Sequence, residues 1–107
     1  LWAVINNAGI VHYTICEFGA SGIKLYEDMM NINTLGCVRV TKAFLPILRT
    51  VQQSRVIVVS SIAGKVDVPY LSAYSMSKFA VRSFANAIRR ELKSFNVYVS
   101  IVEPAVY

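Results

Sequence analysis

The chain has 107 residues, of which 55% are hydrophobic, and its formal net charge is +5. The apolar fraction argues for buried strands and against disorder, and the length allows one domain at most, or part of one. The basic residues form no dense run and no patch interleaved with aromatic residues, so nucleic-acid binding is not indicated. We interpret the excess charge as a solvated helix face, with an anionic cofactor or a membrane surface as the alternative.

The first predicted element is a strand over residues 1–5, a continuous run of strand-forming apolar residues followed by Asn6-Asn7-Ala8-Gly9. Such a run is typical of a strand buried on both faces of a parallel sheet. Ligands of open α/β sheets lie beyond the carboxyl ends of the strands. The Asn-Asn-Ala-Gly turn is therefore placed to line a ligand cleft. A plain strand-end turn held by asparagine side chains is the alternative.

A long helix is predicted over residues 23–51, with Ser21 as its N-cap. Gly36 within it costs about 1 kcal/mol of helix propensity relative to alanine, which indicates close packing or a kink. Pro46 is expected to bend or tighten the last turns. Asn33 is a polar residue in an apolar setting, and from its polarity alone a solvated position is favoured.

Two further strands are predicted over residues 55–60 and 97–102, on either side of a helix over residues 73–94. Asn96 is expected to end that helix. The resulting order is strand, helix, strand, helix and strand. It is typical of two β-α-β crossovers in a parallel sheet, and so of an α/β fold.

The chemically most informative stretch begins where the second strand ends, at Ser60 and Ser61. Tyr74 lies four residues before Lys78, so a helix would place the phenol and the ammonium on one face, one turn apart. A fixed positive charge beside a phenol favours the phenolate form. Tyr74 is therefore a candidate proton donor and acceptor, and a strand-end serine could hydrogen-bond the same substrate oxygen.

The helix over residues 73–94 has an apolar face opposite a basic stripe. The predicted apolar face comprises Phe84, Ala87, Ile88 and Leu92. The basic stripe comprises Lys78, Arg82, Arg89 and Lys93. A solvated stripe is therefore the alternative to a catalytic role for Lys78.

These residues resemble the short-chain dehydrogenase/reductase family. In that family a serine stands thirteen positions before the tyrosine of Tyr-x-x-x-Lys, which here selects Ser61, Tyr74 and Lys78. The Asn-Asn-Ala-Gly turn and Asn33-Thr34-Leu35-Gly36 are two further family marks, and all four stand in the family's order. The amino-acid sequences of several segments resemble those of one subgroup of the family, which contains retinol, 17β- and 3α-hydroxysteroid and D-3-hydroxybutyrate dehydrogenases.

The resemblance implies an oxidoreductase that transfers a hydride between NAD or NADP and an alcohol or carbonyl substrate, lipophilic in kind, such as a retinoid or a steroid. It implies that Ser61 orients and polarises the substrate oxygen and that Tyr74 exchanges the proton. Lys78 would hydrogen-bond the nicotinamide ribose. The main chain of Asn33 would hold a water of the proton relay.

The resemblance also implies which residues approach the cofactor: Asn7, Ala8, Gly9, Tyr74, Lys78 and Pro104. Pro104-Ala105 stands where the family has Pro-Gly. An alanine in a left-handed conformation would cost about 1–2 kcal/mol. We expect no metal site, because Cys16 and Cys37 lack metal-ligand spacing and are expected to be reduced structural thiols.

The implied fold is the second half of a doubly wound, Rossmann-like parallel sheet, with residues 1–107 as the C-terminal catalytic portion of one NAD(P)-binding domain. The sequence has no glycine-rich phosphate-binding turn, so we expect the N-terminal half to be missing. A homodimer or homotetramer is implied, with membrane association of the full-length protein at the endoplasmic reticulum, or a mitochondrial or cytoplasmic location. A truncated, non-catalytic dimerisation module is the alternative function.

Overall fold

The computed structural model describes residues 1–11, 13, 16, 22–61, 64 and 69–104, which form a three-stranded parallel sheet with helices. Strand β1 is Ala3–Asn6, β2 is Ser54–Val59 and β3 is Val97–Val102, in the spatial order β1-β2-β3. The register pairs Asn6 with Val58, and Val59 with Val102. The carboxyl ends of the strands therefore meet at one edge, and the predicted α/β fold is confirmed. Ser21 and Ala105 lie outside the described residues.

The long helix predicted over residues 23–51 forms, but its regular hydrogen bonding is interrupted. Helix α1 is Ile23–Met29, a π-helical segment follows over Met30–Leu35, and helix α2 is Gly36–Leu48. The Gly36 amide donates to the Asn31 carbonyl, five residues earlier, which is the bonding pattern of a π-helix. A Cβ on Gly36 would stand 3.6 Å from that carbonyl, an ordinary contact. Gly36 therefore marks a change of helix type and not a close approach.

Pro46 lies in the last turn of α2, which ends soon after it at Leu48. Proline cannot donate to the helical ladder, and its ring crowds the preceding turn. After it, the Thr50 and Val51 amides each donate to a carbonyl three residues earlier, both at 3.1 Å. The predicted tightening of the last turns is confirmed.

Helix α3 spans Ser72–Leu92 and continues as a 3₁₀ turn over Lys93–Phe95. Asn96 then adopts the left-handed conformation, with φ 60° and ψ 32°, which is common where helices end. The predicted helix stop is confirmed.

The side of α3 that packs on the sheet is formed by Val81, Ala85, Ile88 and Leu92. The prediction that Ala87 shares this side is wrong, because Ala87 is exposed. One residue before Ile88, it is rotated by about 100° around the helix axis.

The core lies between one face of the sheet and the helices. The sheet contributes five valines, namely Val4, Val56, Val58, Val97 and Val99, which meet α2 and α3 in one apolar cluster. On the other face Ile5, Tyr98 and Val102 are 62%, 40% and 47% exposed. The prediction that β1 is buried on both faces is therefore wrong for the described chain, because the described helices pack on the same side. None of these helices has the length and hydrophobicity of a membrane span.

Candidate functional site

The residues singled out from the sequence gather at the carboxyl edge of the sheet. They are Asn7, Ala8 and Gly9 after β1, Ser60 and Ser61 after β2, and Pro104 after β3. A cleft of about 370 Å³ opens there, between the end of β1, the end of β2 and the π-helical segment. Its lining includes Asn7, Ala8 and Asn33. The edge therefore combines polar side chains with a concave surface.

Asn33 lies in the π-helical segment and is 2% exposed, so the solvated position favoured by its polarity is wrong. Its Nδ2 donates to the Ile10 carbonyl at 2.8 Å and to Ser77 Oγ at 3.0 Å, and its Oδ1 accepts from the Ile10 amide at 2.7 Å. The two bonds with Ile10 fasten the chain after the Asn-Asn-Ala-Gly turn to the helix. The side-chain amide is buried because these partners replace water.

Lys78 is also buried, with 5% of its surface exposed, so the alternative of a solvated stripe is wrong for this residue. Its Nζ donates to the Val59 carbonyl at 3.4 Å and lies 5.7 Å from the centroid of the Tyr74 ring. The described carboxylates form no ion pair with it. Burial lowers the pKa of Lys78 below its usual 10.5, because the ammonium loses hydration, while nearby Cys37 opposes this shift.

Gly9 lies against both of these buried polar groups. A Cβ at Gly9 would stand 3.2 Å from Asn33 Oδ1 and 3.3 Å from Lys78 Nζ, closer than most Cβ contacts. The glycine therefore permits a close backbone approach that other residues would hinder. It brings the turn after β1, the π-helical segment and α3 together at one point.

The end of β2 is fixed to α3 by Ser60, whose Oγ donates to the Lys78 carbonyl at 3.3 Å. Ser61 is 8% exposed, and its carbonyl accepts from the Gly64 amide at 2.9 Å. A Cβ on Gly64 would stand 2.6 Å from Ser60 Oγ and 3.1 Å from the Lys78 carbonyl oxygen. The turn that carries Ser61 therefore sits directly on the helix that carries Tyr74 and Lys78.

The end of β3 is tied to α3 by an ion pair. Arg82 Nε donates to Glu103 Oε1 at 2.8 Å, one helical turn after Lys78. Pro104 is exposed, and among the described residues no hydrogen bond joins it to Asn33 or Lys78. The structure therefore brings Asn33, Lys78 and the Gly9 turn together, with Tyr74 beside them, and leaves Pro104 at the rim.

Ser77 and Gly64 escaped the sequence analysis, and Thr34 entered it only as a member of the Asn33-Thr34-Leu35-Gly36 motif. Ser77 is fully buried and accepts from Asn33, Thr34 Oγ1 donates to the Ser77 carbonyl at 2.8 Å, and Gly64 admits the close contact with Ser60 and Lys78. A small polar residue next to Lys78 and a glycine shortly after a strand end were the available signals. Neither signal reveals a partner distant in sequence.

The cysteines and acidic residues do not form a metal centre in the part of the chain that the structure describes. No group of three or more His, Cys, Asp or Glu side chains comes together there. Cys16 is exposed and Cys37 is buried, and both are free thiols. Burial raises the pKa of the Cys37 thiol, and Thr41 and Lys78 oppose that shift. Cys37 is thus a neutral, buried neighbour of the site.

Comparison with known proteins gives a consistent assignment. Residues 1–107 match the family model described as short chain dehydrogenase. The chain is 38% identical over 104 residues to mitochondrial D-beta-hydroxybutyrate dehydrogenase of Rattus norvegicus. The matched residues are 97% of this chain and 29% of that protein. The chain is 40% identical over 108 residues to 17-beta-hydroxysteroid dehydrogenase type 6 of Bos taurus, covering 100% of this chain and 33% of that one.

The chain thus spans a third or less of the length of these two relatives. The solved structure of ElxO with NADP bound matches with a TM-score of 0.87 and 25% sequence identity, over 97% of this chain and 42% of that one. The three parallel strands and their helices therefore have the arrangement found in that structure. The chain belongs to the short-chain dehydrogenase family.

Proposed function

We propose that the whole protein is an NAD- or NADP-dependent oxidoreductase that interconverts an alcohol and a ketone or aldehyde. The observation that carries this proposal is the position of Tyr74, half-buried and one helical turn from a buried lysine whose ammonium lies 5.7 Å from its ring. The dehydrogenase names of the relatives support the reaction class.

In this proposal Tyr74 carries the proton. Its phenol donates to the substrate oxygen during reduction, and the phenolate accepts the proton from the alcohol during oxidation. The Lys78 ammonium stabilises the negative charge that develops on the phenol oxygen. Ser61, at the end of β2, orients and polarises the same substrate oxygen.

The residues at the carboxyl edge fit a nicotinamide dinucleotide. Asn7 and Ala8 line the cleft of about 370 Å³, and Gly9 keeps the adjoining backbone free of a side chain. Lys78 and Tyr74 would contact the nicotinamide ribose, and Pro104 would lie at the nicotinamide end. When bound, the cofactor supplies or takes the hydride, while the protein supplies position and electrostatics.

Asn33 is assigned to the proton relay through its main chain. The π-helical segment around it departs from the regular ladder of bonds four residues apart. Such departures make main-chain carbonyls available to water. Its side chain is occupied by Ile10 and Ser77, so in this proposal the side chain holds the segment in place.

The substrate class that we propose is a lipophilic alcohol, with a hydroxysteroid first and a short hydroxy acid second. The bovine relative is named as a hydroxysteroid dehydrogenase and the rat relative as a hydroxybutyrate dehydrogenase. A retinoid is a further candidate substrate, because segments of the sequence resemble those of retinol dehydrogenases.

The proposal is tested with Tyr74→Phe in the whole protein. NADH and NADPH absorbance is followed with a hydroxysteroid, a retinoid and 3-hydroxybutyrate. Loss of a general acid–base is expected to lower kcat by about 10²–10⁴-fold. Tyr98→Phe is the matched control, since its ring lies on the exposed face of β3, with the Arg55 guanidinium 4.8 Å from its centroid. Undiminished turnover of Tyr74→Phe would contradict the proposal.

A role in self-association has support of its own. Exposed apolar side chains of the helices include Phe44 and Ile47 of α2 and Met76 and Phe79 of α3. We propose a homodimer or homotetramer that buries them. A whole protein that folds and self-associates but turns over none of the proposed substrates would favour a non-catalytic association module.

A further inference from the structure

We propose that Ser77 is a positioning residue, which fixes the turn of α3 that carries Tyr74 and Lys78 against the π-helical segment that carries Asn33. The inference rests on the proposed function. It adds to that function a residue that touches neither substrate nor cofactor and acts through its neighbours.

The first observation is the way in which the Ser77 hydroxyl is used. Its Oγ donates to the Tyr74 carbonyl at 2.7 Å and accepts from Asn33 Nδ2 at 3.0 Å. A hydroxyl has one proton to donate, and here the carbonyl takes it while the amide occupies a lone pair. Ser77 is 0% exposed, so water does not compete for these bonds. One side chain therefore joins the Asn33 side chain to the Tyr74 backbone.

The second observation is an independent bond to the main chain of the same residue. Thr34 Oγ1 donates to the Ser77 carbonyl at 2.8 Å, and Thr34 is 6% exposed. Two successive residues of the π-helical segment thus hold Ser77, one at its hydroxyl and one at its carbonyl. A π-helical turn is wider than an α-helical one, so neighbouring residues rotate less around the axis and can face one partner.

The place of these bonds within α3 explains how they act on the site. In a regular α-helix the Tyr74 carbonyl accepts the amide four residues later, which is that of Lys78. Ser77 therefore bonds the carbonyl that closes the turn between the two candidate catalytic residues. A serine hydroxyl bonded back to its own helix can also bend that helix slightly.

The neighbourhood leaves little room for a shift. A side chain at Gly9 would meet both Asn33 Oδ1 and Lys78 Nζ within 3.3 Å, so these two groups share one confined space. Without the Ser77 hydroxyl, Asn33 and the Tyr74–Lys78 turn lose their direct link. Because catalysis is sensitive to displacements of the order of 1 Å, we expect kcat to fall about tenfold or more.

The test compares Ser77→Ala with Ser75→Ala in the whole protein. Ser75 is a matched control, because it is a buried serine of the same helix whose Oγ has no hydrogen-bond partner among the described residues. We expect Ser77→Ala to lower kcat about tenfold or more, with KM for the alcohol within about twofold of wild type. Ser77→Cys, which keeps a weak donor, should recover part of the loss, and Ser75→Ala should behave as wild type.

A pH–rate profile separates positioning from a general loss of structure. The titratable groups described around the Tyr74 phenol are Lys78 and, beyond it, Cys37. If Ser77→Ala displaces Lys78 from its buried position, the pKa of Lys78 moves back towards its usual 10.5, and the limb of the profile that reports the ammonium moves to higher pH. The proposal would be overturned if folded Ser77→Ala were slower by the same factor at every pH and Ser77→Cys recovered none of the lost activity.

Two further comparisons separate a failure of this inference from a failure to fold and from a failure of the proposed function. If Ser77→Ala does not fold, Thr34→Val decides, because at nearly constant volume it removes the 2.8 Å bond to the Ser77 carbonyl, together with a weak 3.8 Å contact to Met30 Sδ. A lowered kcat in that variant supports the proposal and an unchanged kcat overturns it.

If Tyr74→Phe is inactive while Ser77→Ala matches Ser75→Ala, positioning by Ser77 fails and the proposed function stands. If Tyr74→Phe keeps full turnover, the proposed function fails, and with it the inference.

Discussion

Replacing Gly64 with alanine is expected to destabilise the protein and to displace the backbone at Lys78. The new Cβ would stand 2.6 Å from Ser60 Oγ, 3.1 Å from the Lys78 carbonyl oxygen and 3.3 Å from its carbonyl carbon. The first distance is shorter than real Cβ contacts. The other two distances run from the new Cβ to main-chain atoms of Lys78, which cannot rotate away as a side chain can. Either the turn that follows β2 or helix α3 must therefore move.

The size of the effect follows from these contacts. Overpacking in a well-packed region costs about 1–3 kcal/mol. The Ser60 hydroxyl can rotate out of the way, but it then gives up its 3.3 Å bond to the Lys78 carbonyl. Such a bond contributes about 0.5–1.5 kcal/mol, which is also the expected cost of Ser60→Ala. In the double variant the shortest contact no longer exists, so its cost should be smaller than the sum of the two single costs.

Urea unfolding of the whole protein measures this as a double-mutant cycle, with an expected coupling free energy of about 1 kcal/mol. Gly36→Ala is the matched control, since its Cβ would meet only the Asn31 carbonyl, at 3.6 Å. Helix propensity then favours the alanine by about 1 kcal/mol. Additive costs for Gly64→Ala and Ser60→Ala, or a Gly64→Ala variant as stable as Gly36→Ala, would refute the steric argument.

Substitutions at three other positions give separate predictions. Gly9→Ala should lower kcat while the free energy of unfolding changes little, because the new Cβ presses on Asn33 Oδ1 and Lys78 Nζ and not on the apolar core. Steady-state kinetics and urea unfolding of the same variant check this, and an unchanged kcat contradicts it. Lys78→Met should abolish turnover yet preserve or raise the unfolding free energy at pH 7. Because burial lowers the pKa of Lys78 in the folded state, the unfolded chain binds more protons between that value and 10.5. Wild type should therefore gain stability relative to Lys78→Met as pH rises through this window, and a constant difference between the two contradicts the assignment. Asn96→Ala should cost about 1 kcal/mol because of the left-handed backbone, whereas Asn96→Gly should be tolerated; equal shifts in Tm would contradict this.

The elements whose formation depends on neighbouring residues could be predicted from the sequence. The strand predicted over residues 97–102 forms over Val97–Val102, and Asn96 ends the preceding helix. A run of β-branched residues and a residue tolerant of positive φ are local signals. They need no knowledge of the rest of the fold.

The π-helical segment could not be located in this way. Its apolar residues fit the α-helical period closely enough to predict one continuous helix, and the break depends on contacts distant in sequence. Asn33 is held by Ile10, 23 positions earlier, and by Ser77, 44 positions later. No local pattern contains either partner.

The burial of Lys78 shows the same limit at the candidate site. On the helix it lies in one stripe with Arg82 and Arg89, and the helical period alone gives no reason to expect it to be more buried than they are. The structure separates it because the Gly9 turn and the end of β2 cover that part of α3. Arg82 instead pairs with Glu103, at the end of β3. The spacing to Tyr74 suggested a role for Lys78, and only the tertiary contacts show its burial.

The energetics of Lys78 favour a functional explanation over a structural one. An ammonium buried without a carboxylate opposes folding, since it loses hydration and gains little in return. Here the compensation among the described residues is one bond of 3.4 Å to the Val59 carbonyl and the nearby Tyr74 ring. A methionine of similar length would fill the same space at lower cost. Groups with such perturbed titration are concentrated where ligands bind and protons move. We therefore regard the cost of burying Lys78 as part of the chemistry proposed for Tyr74, and Lys78→Met as the variant that separates stability from activity most directly.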